Sequence, residues 1–104
     1  MPINQLSVNV SASNEKASSA TRTARSITST ASIILDSNIN RKGVLIQNTT
    51  GQDIYLGYDN TLTTSLYSLT IPNGSIYEMP EPIYTGDVYA VSASAVTPEV
   101  TEFS

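Results

Sequence analysis

The sequence contains no histidine, no cysteine and no tryptophan among its 104 residues. The absence of histidine removes the most common general base, metal ligand and member of a catalytic triad. The absence of cysteine excludes a disulfide and a thiolate metal site, so neither can add to the stability of a small core. We therefore expect a protein that is not an enzyme and that uses no metal and no cofactor.

The acidic residues do not form a recognisable catalytic pair. Glu78 and Glu81 flank a proline, whereas Asp53 and Asp59 flank a predicted strand. Paired carboxylates can hydrolyse glycosides, but acidic side chains are mostly solvated surface groups, and we interpret these four in that way. Asp59 and Asn60 offer two oxygen ligands for calcium, which needs about six or more. We expect no small-molecule substrate.

Long apolar runs are also missing. No stretch of about 18 apolar residues is present, so we do not expect the chain to span a membrane. Residues 1–5 lack the basic region and the apolar run of a secretory signal, which predicts a product made in the cytoplasm. The length is that of a single domain.

Charge is divided unevenly along the chain. The net charge of −4 combines +3 over residues 1–42 with −7 over residues 43–104, where no basic residue occurs. An acidic body repels phosphate, so nucleic acid is not an expected partner of the body. The basic residues are candidates for a patch that binds an acidic partner, or they simply solubilise the chain. They are Lys16, Arg22, Arg25, Arg41 and Lys42.

Residues 1–30 are predicted to form an extended, polar and basic N-terminal arm. Leu6, Val8 and Val10 alternate with polar residues, which predicts a short strand. The next segment is polar, so we expect this strand to pair with a sheet edge elsewhere. Residues 11–26 have no apolar side chain larger than alanine, which is typical of a flexible tail or of an arm that docks on a neighbouring subunit. A short helix over residues 14–25 is an alternative.

Residues 31–104 are predicted to form an all-β body, either a β-sandwich or a jelly-roll-like fold of about seven short antiparallel strands. Three hairpins are expected within it, each of two successive strands. They join residues 43–48 to 53–57, residues 65–71 to 75–79 through the turn Pro72-Asn73-Gly74, and residues 87–92 to 99–103.

The six tyrosines are the most informative large side chains. Most lie in or beside predicted strands, where tyrosine is favoured, so sheet packing explains them. The alternative is a binding face, because tyrosine offers amphipathic contact area at low entropic cost. The candidate surface-contact tyrosines are Tyr58, Tyr67, Tyr77 and Tyr84.

One segment resembles a known group of proteins. Residues 41–57 read Arg-Lys-Gly-Val-Leu-Ile-Gln-Asn-Thr-Thr-Gly-Gln-Asp-Ile-Tyr-Leu-Gly, with a basic start, an apolar strand, a Gln-Asn-Thr turn and a strand ending in Tyr-x-Gly. A Pro-x-Gly turn at residues 72–74 and the strand Val-Tyr-Ala-Val at residues 88–91 follow. Together they resemble small virion proteins of tailed bacteriophages, over about half of the chain. The resemblance implies a β-sandwich and transfers no catalytic residue.

That group includes capsid decoration (cement) proteins, head-fibre bases and tail-associated proteins. We therefore expect a non-enzymatic virion protein on the outer surface of an icosahedral phage head, tying capsomers together through its β body and its arm. Its expected partners are the major capsid protein and itself, as a homotrimer. Two alternatives stay open: a tail or head-fibre adhesion module that binds host glycans, and a non-viral β-sandwich protein-interaction domain.

Overall fold

The computed structural model describes residues 16–104, and their regular structure consists of strands alone. The strands are β1 (Ala20–Ala24), β2 (Ser32–Leu35), β3 (Gly43–Gln47), β4 (Ile54–Gly57), β5 (Leu69–Ile71), β6 (Ile76–Glu78), β7 (Val88–Ser92) and β8 (Glu99–Phe103). Within this described part, no helix is long and apolar enough to cross a membrane.

The strands form two antiparallel sheets of four. Sheet A has the order β1-β8-β3-β6 and sheet B the order β2-β7-β4-β5. Six of the seven connections between successive strands pass from one sheet to the other, and only β4 and β5 are both successive and paired. Eight strands in two sheets with this order form a jelly roll, so the predicted all-β sandwich is confirmed. Strands β2 to β8 are the seven expected over residues 31–104.

The three predicted hairpins are wrong, although their strands are present. β3 and β4, β5 and β6, and β7 and β8 each belong to opposite sheets. The turn at residues 72–74 does form, with Gly74 at a φ of 88° and the Ser75 N–H donating to the Pro72 carbonyl at 3.1 Å. A tight turn reverses the chain but does not decide which sheet the next strand joins. That strand can pair beside the first in the same sheet, or it can pack against it across the core, as β6 does.

The core lies between the sheets and follows the two-residue alternation of the strands. Each sheet contributes buried aliphatic side chains from its inner face. They include Val44, Ile46 and Val100 from sheet A, and Ile34, Ile54, Leu56, Ile71, Val88 and Ala90 from sheet B. The residues that alternate with these along each strand therefore point to the outer faces of the two sheets.

Residues 20–27 of the predicted arm contact the sandwich. β1 pairs with β8 along its whole length, and Ile27, which is fully buried, forms a bridge with Val96. Residues 20–24 are extended, so the alternative helix reaching Arg25 is also wrong there. All five residues of β1 are exposed, and backbone pairing holds the strand, so apolar patterning could not reveal it. The predicted strand with Leu6, Val8 and Val10 lies outside the described residues.

Candidate functional site: two exposed apolar patches

Sheet A carries an apolar patch on its outer face. Leu45 lies between the buried Val44 and Ile46, so its side chain points away from the core. Its register partners are Thr101 on β8 and Glu78 on β6, which makes Phe103 and Ile76 its diagonal neighbours. Diagonal neighbours on one face are within reach of long side chains. We call Leu45, Ile76 and Phe103 the outer-face patch.

The outer-face patch is accessible and bordered by charge. Ile76 is 63% exposed, whereas Leu45 and Phe103 are half-buried. A shallow groove of about 310 Å³ runs past Leu45 and Phe103, and one of about 210 Å³ runs between Leu45 and Ile76. On one border, the side chains of Arg22 and Glu99 approach to 4.0 Å. An apolar centre with a charged rim is the usual arrangement of a protein–protein contact surface.

A second apolar patch lies on residues 58–68, which connect β4 and β5. Leu66 is 65% exposed, Tyr67 46% and Tyr58 43%. The three side chains line a cavity of about 260 Å³ together with Asp59. We call Tyr58, Leu66 and Tyr67 the loop patch. Leucine and tyrosine exposed side by side are typical of an interaction surface rather than of isolated surface residues.

The loop patch is held against the outer face of sheet B. Tyr55 and Gly57 point outward, because Ile54 and Leu56 alternate with them and are buried. The ring centroid of Tyr67 is 4.7 Å from that of Tyr55. Leu62 packs so closely on Gly57 that a Cβ at that glycine would lie 3.0 Å from the Leu62 Cδ1. Through Tyr67, the loop patch therefore lies on the side of the sandwich opposite the outer-face patch.

Local hydrogen bonds shape the connection. The Asp59 carboxylate accepts bonds from the Thr61 hydroxyl at 2.6 Å and from the Thr61 N–H at 3.0 Å. These two bonds lower the pKa of Asp59 below its ordinary value. Asp59 is thus a turn-forming residue with a charged carboxylate at the rim of the loop patch.

Three of the four candidate tyrosines come together at one place. The rings of Tyr58 and Tyr84 meet edge to face with centroids 4.9 Å apart. Burial, and next the charge of the nearby Tyr58, raises the pKa of Tyr77 to about 12. Tyr58, Tyr67 and Tyr84 are each more than 40% exposed, whereas Tyr77 is half-buried and packs against the core. The ring of Tyr67 contacts that of Tyr55 instead.

The structure does not present Arg41 on the surface, where the predicted basic patch placed it. Its side chain is 0% exposed, and its Nε donates to the Glu102 carboxylate at 2.6 Å. Its terminal nitrogens donate to the carbonyls of Tyr84, Gly86 and Asp36. Arg41 therefore links the β2–β3 connection and the β6–β7 connection to β8. Glu102 is 61 positions away along the chain, so the local sequence offers no sign of this pairing.

The other four basic residues do not share one set of contacts. Arg25 donates to the Asp36 carboxylate at 2.6 Å and to the Ile33 carbonyl at 2.9 Å, so it links β1 to β2. Arg22 is exposed beside Glu99, and Lys42 lines the groove next to Phe103. Lys16 is exposed at the start of the described residues.

Sequence reasoning missed the outer-face patch and Leu66. The sequence predicts strands over residues 43–48, 75–79 and 99–103, but not that Leu45, Ile76 and Phe103 share one outer face. The alternation of side chains along a strand indicates the orientation of Ile76. Its neighbour Tyr77 faces inward beside Ile46, so Ile76 faces outward. Among residues 16–104, no three histidine, cysteine or acidic residues are grouped so that they could hold a metal ion. No protein-family model, curated protein or solved structure matches this chain.

Proposed function

We propose that this protein is a capsid decoration (cement) protein that binds the outer surface of an icosahedral phage head. The observation that carries the proposal is the pair of apolar patches on opposite outer faces of one small sandwich. A protein that ties two neighbours together needs two separate contact surfaces. Ile76 and Leu66 are each nearly two-thirds exposed, so both surfaces are available at the same time.

The partners in this proposal are the major capsid protein and further copies of the chain. The protein is made in the host cytoplasm and acts in the virion, as a homotrimer. One patch contacts the capsid and the other contacts a neighbouring copy, so contacts that are weak singly add through multivalency. The resemblance over residues 41–92 supports the virion assignment. The jelly roll is used by viral capsid domains and by lectins alike, so the fold alone does not select a function.

The test is decoration of particles by matched variants. Leu45→Ser/Ile76→Ser removes the outer-face patch, and Leu66→Ser/Tyr67→Ser removes the loop patch. Ile39→Ser is the control, because Ile39 is 84% exposed and lies in neither patch. We expect one patch variant to lose binding to purified heads that lack the protein, the other to bind without linking copies, and the control to behave as wild type. If both patch variants bind the heads with unchanged occupancy, the proposal is contradicted.

A second function is favoured by the loop patch itself. Tyr58, Tyr67 and the Asp59 carboxylate line one cavity, and aromatic rings beside a carboxylate suit the apolar face and the hydroxyls of a sugar. This arrangement fits an adhesion module of a tail or head fibre that binds host glycans. Location on the particle separates the two functions: labelled antibody should decorate the whole head surface for a cement protein, but only the tail or the fibres for an adhesin.

A further inference from the structure

Each sheet of the jelly roll ends in two edge strands, and β1 is the longest of the four. Natural proteins shield edges by short strands, proline, bulges or charged side chains. β5 and β6 have three residues each, with Pro72 directly after β5 and Pro80 close behind β6. β2 has a register shift between Ile33 and Leu35. β1 has five residues with regular pairing, no proline and no bulge, and Arg22 is its single charged side chain.

The hydrogen-bonding groups on the free side of β1 follow from its register. Ser19 and Ser104 exchange two backbone hydrogen bonds of 2.9 Å, and the Arg25 N–H donates to the Pro98 carbonyl. In an antiparallel pair every second residue bonds the partner strand, so residues 21 and 23 also face β8. The N–H and C=O groups of Ala20, Arg22 and Ala24 therefore point away from the sheet. They have no backbone partner among residues 16–104.

We propose that this free edge of β1 is the docking site for residues 5–10 of a neighbouring copy, which adds a fifth strand to sheet A. This residue range, Gln-Leu-Ser-Val-Asn-Val, has the two-residue alternation of a strand and contains no proline or charge. Strand addition to an open edge supplies main-chain hydrogen bonds together with side-chain contacts. The choice of a neighbouring copy rests on the proposed function as a protein that links copies.

The path of the chain favours a neighbour over the same copy. Both Ser18 and Ser19 donate to the Ser104 carbonyl, so the line of β1 continues to Ser18, beyond the end of the paired strand. Pairing with its own β1 would require the preceding chain to reverse direction within residues 11–17. Seven extended residues span about 23 Å, or nearly five strand spacings of about 4.8 Å. The segment can therefore reach the edge of an adjoining molecule without a reversal.

Head-to-tail donation has a consequence for assembly. Each copy gives one strand and receives one, which is a heterologous contact that closes into a ring if the rotation between copies allows. A cyclic homotrimer satisfies every donor and every acceptor edge. The edge of β1 accepts the added strand, and residues 5–10 of the neighbouring copy provide it. Each of the two can therefore be disabled by its own substitutions.

The first test compares Arg22→Pro with Arg22→Ala in the full chain. Proline removes an N–H that faces away from β8, and proline is tolerated at such edge positions. Alanine removes the same charge but keeps the N–H. We expect wild type and Arg22→Ala to assemble and to slow amide hydrogen exchange of residues 5–10 by about tenfold or more. Arg22→Pro should be monomeric with that protection lost, while β3 and β8 stay protected as evidence that the fold is intact.

The second test mixes two full-length chains. The donor is Arg22→Pro, and the acceptor is the triple variant Leu6→Ser/Val8→Ser/Val10→Ser, in which the segment is disabled. We expect each to be monomeric alone by light scattering and to form a heterodimer when mixed, with residues 5–10 of the donor protected. Protection in wild-type monomer that does not depend on concentration would assign the segment to its own β1 and overturn the proposal.

Two further results would also overturn it: assembly by Arg22→Pro, or exchange of residues 5–10 at the rate of a free peptide in assembled wild type. All these measurements use the protein without any particle. A failure to bind phage heads would therefore count against the proposed function, but not against strand exchange between copies.

Discussion

At the scale of single residues, Arg41 concentrates several long-range bonds in one side chain. Replacing it with methionine leaves the Glu102 carboxylate, which is only 22% exposed, and three carbonyls without their donor. Breaking a buried ion pair by removing one partner costs about 3 kcal/mol or more. We expect Arg41→Met to lower the free energy of unfolding by about that amount in urea titrations. The double variant Arg41→Met/Glu102→Leu should recover part of the loss, because no unpaired charge remains.

Ser92 has the opposite effect on stability. Its side chain faces the core, is 0% exposed, and its hydroxyl has no hydrogen-bond partner among residues 16–104. A buried hydroxyl without a partner costs about 1 kcal/mol or more, so Ser92→Ala should stabilise the fold by about 1 kcal/mol. Calorimetry would show this as a higher Tm. Ser94→Ala, at an exposed position two residues after the end of β7, should leave the Tm unchanged. A lower Tm for Ser92→Ala would show that the hydroxyl is bonded.

The raised pKa of Tyr77 predicts how the free energy of unfolding changes in alkaline solution. Its pKa is raised to about 12 from an ordinary value of 10.0, because burial disfavours the phenolate. A raised pKa means that the folded state holds the proton more tightly. The resulting stability is fully present below pH 10 and is lost as the pH rises towards 12. We expect the urea midpoint of wild type to fall more steeply over this range than that of Tyr77→Phe. Equal slopes for the two proteins would refute the assignment.

At the scale of elements, Asn48 holds together two connections that cross between the sheets. Its amide donates to the carbonyls of Gln52 and Ile71, both at 2.8 Å, and its side-chain oxygen accepts bonds from Thr50. Its backbone also bonds Ser75 and Gly74. A fully buried and fully bonded amide at this place fixes where β3 leaves sheet A and where β6 returns to it.

Asn48→Asp tests this role with a side chain of the same shape. The carboxylate keeps the acceptor but loses both donors and faces two carbonyl oxygens. We expect a loss of about 2 kcal/mol or more in the free energy of unfolding. Asn73→Asp is the matched control, because Asn73 is exposed and its side-chain oxygen accepts a hydrogen bond from the Gly51 N–H. Equal losses for the two variants would contradict the role assigned to Asn48.

The same elements show what the sequence could and could not predict. Strands such as β2, β3 and β7 were predictable, because β-branched and apolar residues concentrate there. Their pairing was not, because residues 48–53 and 72–75 reverse the chain without showing which sheet receives it. β1 was unpredictable for a different reason: its five residues are exposed, and bonds to a strand some 80 positions away hold it.

The candidate site was predictable in part. Tyr58, Tyr67 and Tyr84 do lie exposed, as expected for contact tyrosines. The outer-face patch was missed because Leu45, Ile76 and Phe103 come from three strands that only the register of sheet A brings together. Arg41 was misjudged because composition cannot distinguish a solvated arginine from one bonded inside the fold.

At the scale of the whole molecule, the sandwich is thin enough for each sheet to present its own outer surface. Sheet A presents the outer-face patch, and sheet B carries the connection with the loop patch. The free edge of β1 adds a third contact of a different kind, which uses backbone hydrogen bonds instead of apolar area. A molecule built in this way is suited to join neighbours in more than one direction, and linkage is the central claim of the proposed function.

If the protein decorates phage heads as proposed, linkage is tested by the thermal stability of heads from which it has been stripped. Genome release on heating should begin at a lower temperature in stripped heads than in intact ones. Adding back wild-type protein should restore the higher temperature. A patch variant that still occupies the heads but no longer links copies should leave the temperature low. If wild-type protein rebinds at full occupancy and the release temperature does not rise, the protein does not reinforce the capsid and the proposed function is contradicted.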